Sequence, residues 1–353
     1  MIRSPSPGRP AKSVKHQVAT EVPLSWSNLR LHGLERLHIV PGMKAEDHFT
    51  KQQAVVMDFV FLTGQLFNGF SVASLYILAA LGLALSFGLM RVINMAHGEI
   101  LMTGSYLAYL TIQFVPGPLG IFAAMVVAFI GSGILGGVLQ IGLVSKLTSR
   151  PLDTLIATGG VSLILQQGAR DLFGATGVSV TAPSWLEGGI TIMGLQLPTT
   201  RLFIILLAAV ILVGMAAVLN LTRIGLLVRA VNQDRATASA MGVNVRLVDC
   251  FIFALGAAIA GVGGVVLALL GPVTPNVGQS YIVTAFLVVI LGGLGSIIGT
   301  TLAALMIGLF MALSQIFVDV SFAQVLTLLF VILFLQFRPQ GVIAVRSRAL
   351  DAE

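Results

Sequence analysis

Asn94, His97 and Glu99 lie close together in the segment 88–99, GLMRVINMAHGE, between two long apolar runs. Ionisable groups near a bilayer are costly and are paired, turned inward or functional. Two compatible readings follow. Asn94 and Glu99 can cap helix ends, with Glu99 in the first turn of the next helix, where a negative charge suits the dipole. The cluster can also line a solute pathway or its gate. A second informative stretch is 222–243, which holds Arg229, Asp234, Arg235, Ala236, Ala240 and Gly242. Ala236 and Ala240 are four apart and share a helical face, and Gly242 supplies a stop. A short helix from Arg229 to Gly242 is predicted, either to dock in a groove of a partner or to serve as a solvated connector. Gly292, Gly293 and Gly295 resemble a dinucleotide loop but sit in an apolar run with no strand-helix-strand context, so a close-packed helix break is predicted there.

Other chemistry is excluded. There is no G-x-x-x-x-G-K-[ST] phosphate loop and no H-E-x-x-H, and four of the five histidines precede residue 50. His97 and Glu99 alone supply neither a nucleophile with its base nor a metal cluster. No catalytic residue, cofactor or metal ligand is expected. The lone Cys250 excludes an internal disulfide. Any energy used must come from another subunit.

The elements that carry these residues are set by composition. Hydrophobic residues make up 56% of the 353, charged residues 10%, and mean hydropathy is +0.98. A soluble domain carries about a quarter charged residues, so the solvent for this surface is a lipid bilayer. The net charge of +6 does not point to nucleic acid, because residues 1–51 carry eight Lys/Arg against four Asp/Glu and no basic face runs through the body. Residues 1–52, with Pro5, Pro7, Pro10, Pro23 and Pro41, read as a disordered extension with a short amphipathic piece at 26–40. Starts at Met43 or Met57 are left open. Residues 53–345 form the membrane domain and 346–353 a cytoplasmic tail.

The apolar runs are 59–88, 97–115, 118–145, 154–169, 202–221, 248–271, 281–300, 301–318 and 322–337. About 20 helical residues cross the hydrocarbon layer. The fold class is all-α, a polytopic transmembrane helical bundle of eight or nine crossings, with 154–169 and 281–300 as possible re-entrant pieces. The segments 222–249, 146–153 and the C-terminus are net positive and are placed in the cytoplasm; 170–201, with Trp185, and 271–280 are placed outside. Nine crossings put the positively charged N-terminus outside, and eight put it inside.

Ala79–Tyr106 with INMAHGEILMTGSY, the 222–243 loop, and VVILGGLGSIIGT at 288–300 resemble the branched-chain amino-acid-type ABC permeases. Within that family the urea-transporting branch is most similar, through 66–90, VSLILQQGARDLFG at 161–174, APSWLEGG at 182–189 and GQSYIVTAFLVVILGG at 278–293. The resemblance runs from about 64 to 345. Arg91 departs from the pattern, which has a small residue there. The resemblance implies a multi-pass permease of the bacterial inner membrane. Its partners would be a second permease subunit, two cytoplasmic ABC ATPase subunits docked on the 229–242 coupling helix, and a periplasmic binding protein that delivers urea. The alternatives are a branched-chain amino acid or a related amide as solute, a stand-alone secondary transporter or channel, and an intramembrane enzyme.

Overall fold

The structure is a computed structural model that describes the backbone of residues 45–90, 92–148, 150–192 and 194–343, with side chains from Val60 onward, Ile192 excepted. The described residues fall into two units that divide between Ala54 and Val55. The first is described only from Ala45, where helix α1 (Ala45–Met90) begins. The expected extension up to residue 44, Arg91 and the 346–353 tail lie outside the described residues.

The second unit is a helical bundle. After α1 come α2 (His97–Phe114), α3 (Gly120–Leu139), which runs through a π-turn at Gln140–Val144 into the short α4 (Ser145–Leu147), and α5 (Pro151–Phe173). A hairpin of strands β1 (Gly189–Ile192) and β2 (Leu195–Pro198) precedes α6 (Thr199–Leu221). Two short helices follow, α7 (Arg223–Gln233) and α8 (Arg235–Ala240). The last four are α9 (Val245–Leu270), α10 (Val277–Gly292), α11 (Ile297–Ser314) and α12 (Val320–Phe337). The bundle confirms the all-α class, and the hairpin is an addition within the 170–201 loop.

Among the described residues six helices are long and apolar enough to cross a membrane: the 60–90 part of α1, the α3–α4 rod, α6, α9, α11 and α12. That is fewer than the expected eight or nine. The physical reason is local. Polar side chains dilute α2 and α5, and α10 is only 16 residues long. The apolar stretch expected as runs 281–300 and 301–318 is divided at 293–296, not at 300, because Gly293 and Gly295 adopt φ of 96° and 84° there, a region open to glycine and closed to most side chains.

Helices α1 and α9 form the centre. Their most apolar windows are 83% buried, against 17% for α6 and α12, which present Leu206, Val213, Phe322 and Leu329 outward. Lipid gives no hydrophobic drive between helices, so close packing through small residues must hold them. Accordingly α1 meets α9 at Gly82 and Gly256, and meets α11 at Ala73 and Gly308. Helix α2 meets α9 at Gly104 and Gly261, and α3 meets α9 at Gly136 and Ala257. A Cβ on Gly82, Gly104 or Gly256 would collide with the facing backbone.

The two ends of the bundle differ. At one end Val178 and Val273 pair as an isolated bridge (2.9 and 2.8 Å), Arg170 donates to Asn276, and the Trp185 indole donates to the Pro118 carbonyl at 3.1 Å. Asn68 on α1 accepts from Arg201 beside the hairpin. The loops 170–201 and 271–280, expected on one side, therefore touch. At the other end Gly88 packs on Gly295, and the chain after α12 pairs back through Ile343 N–H to the Gly292 carbonyl at 3.2 Å.

Candidate functional site: a buried polar seam between α2 and α5

Helix α2 does not begin at an end of the bundle. His97, only 3% exposed, donates its Nε2–H to the Ala79 carbonyl at 3.1 Å. Ala79 lies about 16 Å along α1 from the Met90 end, at about 1.5 Å per residue. The segment 92–96 thus climbs back into the bundle, and α2 starts well inside it rather than at the Met90 end of α1. Gly82 makes room for the imidazole, since a Cβ there would lie 2.9 Å from His97 Cε1. His97 is a fastener between α2 and α1.

Asn94 is not the cap of α2. That position is Ala96, and no side chain caps it. The Asn94 carboxamide oxygen instead accepts from the Ala96 N–H at 3.0 Å, which holds the turn before the helix. Glu99 does sit in the first turn, as expected. It is 1% exposed. Its Oε1 accepts from Gln166 Nε2 at 2.8 Å and from the Ser162 hydroxyl at 3.0 Å, both on α5. Its Oε2 has no hydrogen-bond partner among the described residues, and a Cβ on Gly278 of α10 would lie 2.6 Å from it. Gly98 packs on the Gly278 backbone, so the first turns of α2 and α10 meet beside this carboxylate.

Helix α5 answers with a polar stripe at every fourth residue: Thr154, Thr158, Ser162, Gln166 and Arg170. The Thr154 hydroxyl donates to the Leu147 carbonyl at 2.8 Å, and Thr158 accepts from the Met95 N–H at 3.1 Å. Leu152, Ile156, Leu163, Ile164 and Leu172 are exposed around the rest of the helix. Toward the Val178–Val273 end the seam turns apolar, with Met102, Tyr106, Ala169 and Val273 buried and the rings of Tyr106 and Phe173 stacked at 4.3 Å. The Tyr106 hydroxyl and Asn94 Nδ2 are buried without hydrogen-bond partners among the described residues. Sequence reasoning missed this half of the site. The fourfold spacing is visible in the sequence, but it does not show what the stripe faces, and 154–169 reads there as an apolar run or a re-entrant piece. The arrangement can offer hydrogen-bond donors and acceptors to a polar solute. No cluster of metal-ligating side chains occurs among the described residues.

The predicted Arg229–Gly242 helix is two helices. Asp234 breaks it, because its carboxylate accepts from the Ala236 and Thr237 N–H groups at 2.9 and 3.2 Å and so caps α8. The same bonds, led by the Thr237 hydroxyl, hold the Asp234 carboxyl below its usual pKa. Gly242 is the stop, with φ of 87° and the Val243 N–H returning to the Ala238 carbonyl at 3.0 Å. Ala236 and Ala240 are exposed while Ala238 is buried, so α8 has an inner and an outer face. Arg229 donates back to the Leu219 carbonyl. Arg235 grips Asp249 of α9 at 2.8 and 3.0 Å and donates to the Leu89 carbonyl of α1 at 3.0 Å. It therefore joins α8 to both central helices. Gly292, Gly293 and Gly295 form the expected break, packed on Thr300, Ile343 and Gly88. They lie beside Gly88 near the Met90 end of α1.

Residues 65–335 match the family profile described as branched-chain amino acid transport system / permease component. The high-affinity branched-chain amino acid transport system permease protein LivH of Escherichia coli (strain K12) is 29% identical over 304 residues, 81% of this chain and 96% of that protein. The corresponding BraD protein of Pseudomonas aeruginosa is 28% identical over 298 residues, 79% of this chain and 94% of that protein. The ribose import permease protein RbsC of Escherichia coli (strain K12) is 25% identical over 269 residues, 70% and 77% of the two chains. No solved structure gives a significant match. These matches lend no support to the finer urea resemblance and favour its amino-acid alternative.

Proposed function

The chain belongs to the family of branched-chain amino acid transport system permease components, and on that premise we propose that it is the membrane-spanning subunit of a binding-protein-dependent ABC importer for a branched-chain amino acid. The observation that carries this reading is the family match over 65–335, which takes in α2 to α11 whole and most of the apolar part of α1 and of α12. In this reading a second permease completes the membrane unit and a binding protein docks where 170–201 meets 271–280. Two ATPases engage the outer face of α8. Movement of α8 reaches α1 and α9 through Arg235, and the seam between α2 and α5 opens to pass the solute. The permease makes and breaks no covalent bond.

Urea stands as a second reading because two of the segments that resemble the urea branch, 161–174 and 278–293, supply Ser162, Gln166 and Gly278 around Glu99. Uptake separates the two. Deleting the gene should abolish high-affinity uptake of labelled leucine, isoleucine or valine and leave urea uptake intact. The opposite pattern would transfer the protein to urea.

A further inference from the structure

We propose that Glu99 and the abutting first turns of α2 and α10 form the station that binds the α-amino and α-carboxylate groups of a zwitterionic amino acid during passage. This rests on the branched-chain amino acid reading and adds to it the place and chemistry of contact.

Three observations converge. First, Glu99 Oε2 is a strong acceptor that is buried and has no hydrogen-bond partner among the described residues, while Oε1 is doubly satisfied by Gln166 and Ser162. Leaving a buried acceptor unsatisfied is costly, and such a group in a native structure calls for an explanation. An ammonium group supplies the missing donors and the compensating charge. Second, two helices begin at the same depth, with Gly98 against the Gly278 backbone. Helix N-termini carry positive partial charge that favours an anion. Glycine at both positions lets backbone approach backbone, and a side chain at Gly278 would press on Glu99 Oε2. The station thus offers a negative group and a positive one within one turn of helix. Third, the neighbouring surface is apolar. Met102 and Tyr106 follow Glu99 by three and seven residues on the same face of α2 and pack with Ala169 and Val273. A branched aliphatic side chain fits that chemistry. Urea, with no carboxylate and no aliphatic part, would use only the acceptor.

The bonds from Ser162 and Gln166 also close the seam in this conformation, so a solute reaches Oε2 when α5 moves away from α2. Access is tied in this way to the motion that drives transport.

The test uses the complete transporter, both permeases with ATPases and binding protein, in proteoliposomes loaded with ATP. Wild-type uptake of labelled leucine tests the functional reading: no uptake means that reading fails. With wild-type uptake established, Glu99→Gln keeps the size and most hydrogen bonds but removes the charge. Expected is retained assembly, with leucine uptake lowered at least about tenfold through a raised half-saturation concentration of loaded binding protein or a lowered rate. Leucine uptake by Glu99→Gln within about twofold of wild type overturns the proposal. If Glu99→Gln fails to assemble, Ser162→Cys in a Cys250→Ser background decides the matter. Leucine delivered during turnover should protect that thiol from a small hydrophilic thiol reagent at least about threefold. Equal labelling with and without leucine overturns the proposal.

Discussion

Removing Arg235 should cost more than removing its partner, and the difference can be worked from exposure. The guanidinium holds Asp249 through two bonds, 2.8 and 3.0 Å, and the Leu89 carbonyl through a third at 3.0 Å. The Arg235 side chain is 38% exposed and that of Asp249 9%. Arg235→Ala therefore leaves a nearly buried carboxylate without its cation, whereas Asp249→Ala leaves a cation that can turn to water. Breaking a fully buried pair costs about 3–5 kcal/mol and an exposed one about 0.2–1 kcal/mol. This half-exposed pair lies between them. We expect about 2 kcal/mol for Arg235→Ala and about 1 kcal/mol for Asp249→Ala. Arg235→Lys should fall close to Arg235→Ala, because a single ammonium cannot reproduce the fork that reaches α9 and α1 together. The assay is denaturant or thermal unfolding of the permease in nanodiscs for the singles and the double mutant, run beside ATP-driven uptake by the assembled transporter. Uptake per ATP hydrolysed should fall in both singles. A double mutant whose cost equals the sum of the singles would refute a direct coupling between these residues. An Asp249→Ala cost above that of Arg235→Ala would refute the exposure argument.

Ala240→Glu places a charge on the exposed face of α8, so the protein should still insert, while co-purification of the ATPases drops by at least about tenfold; unchanged co-purification would remove α8 as the docking face. Asp234→Asn should keep the cap of α8, and Asp234→Ala should lose it, read as faster amide exchange over 235–240. Because the folded Asp234 carboxyl titrates below the ordinary 3.8, its contribution is complete above pH 3.8 and is lost as pH falls through the lower folded value, so α8 protection should be flat from pH 8 to 5. Gly256→Leu should destabilise the bundle by about 3 kcal/mol or more, since its side chain would enter the backbone of α1 at Gly82, and a Gly214→Leu control on α6, with open space around it, should change stability by less than about 0.5 kcal/mol.

The helices were legible because lipid makes apolar length a direct signal, and the break at Gly292–Gly295 was legible because glycine has few other uses inside an apolar run. Helix boundaries were less so. Nothing in the period of 281–318 places the division between the two helices at 293–296 rather than at 300 until the positive φ at Gly293 and Gly295 is known. The single coupling helix failed at Asp234 for a related reason. Its carboxylate competes for backbone N–H groups, an effect that favours caps over helix interiors, and the reading weighed the alanine spacing above it. Asn94, His97 and Glu99 stood out as polar residues beside apolar runs. Their division of labour did not, because it depends on partners far away in sequence: Ala79 for His97, Ser162 and Gln166 for Glu99.

That dependence explains why half of the candidate site was invisible. A stripe of Thr154, Thr158, Ser162 and Gln166 costs a membrane helix little when read alone, since Ser and Thr can return their hydroxyls to their own backbone. Thr158 does so, bonding the Thr154 carbonyl at 2.8 Å. Its meaning comes from what it faces. The stripe meets a helix that starts in mid-bundle, and that start exists because Gly82, Gly98 and Gly104 allow α2 to seat against α1, α10 and α9 with backbone on backbone. The glycines are thus the first cause of the site. They place a helix start and its acidic first turn where a bilayer would otherwise forbid both, and α5 supplies the hydrogen bonds that make the placement tolerable. A substitution that closes any of these glycine contacts should therefore move Glu99 out of reach of Gln166 before it unfolds the bundle. Gly98→Ala is the mildest such change, one methyl against the Gly278 carbonyl. It should lower uptake by at least about fivefold in protein that still assembles with its ATPases. Normal uptake in the Gly98→Ala protein would show that the seam tolerates displacement and that its geometry is not what sets transport.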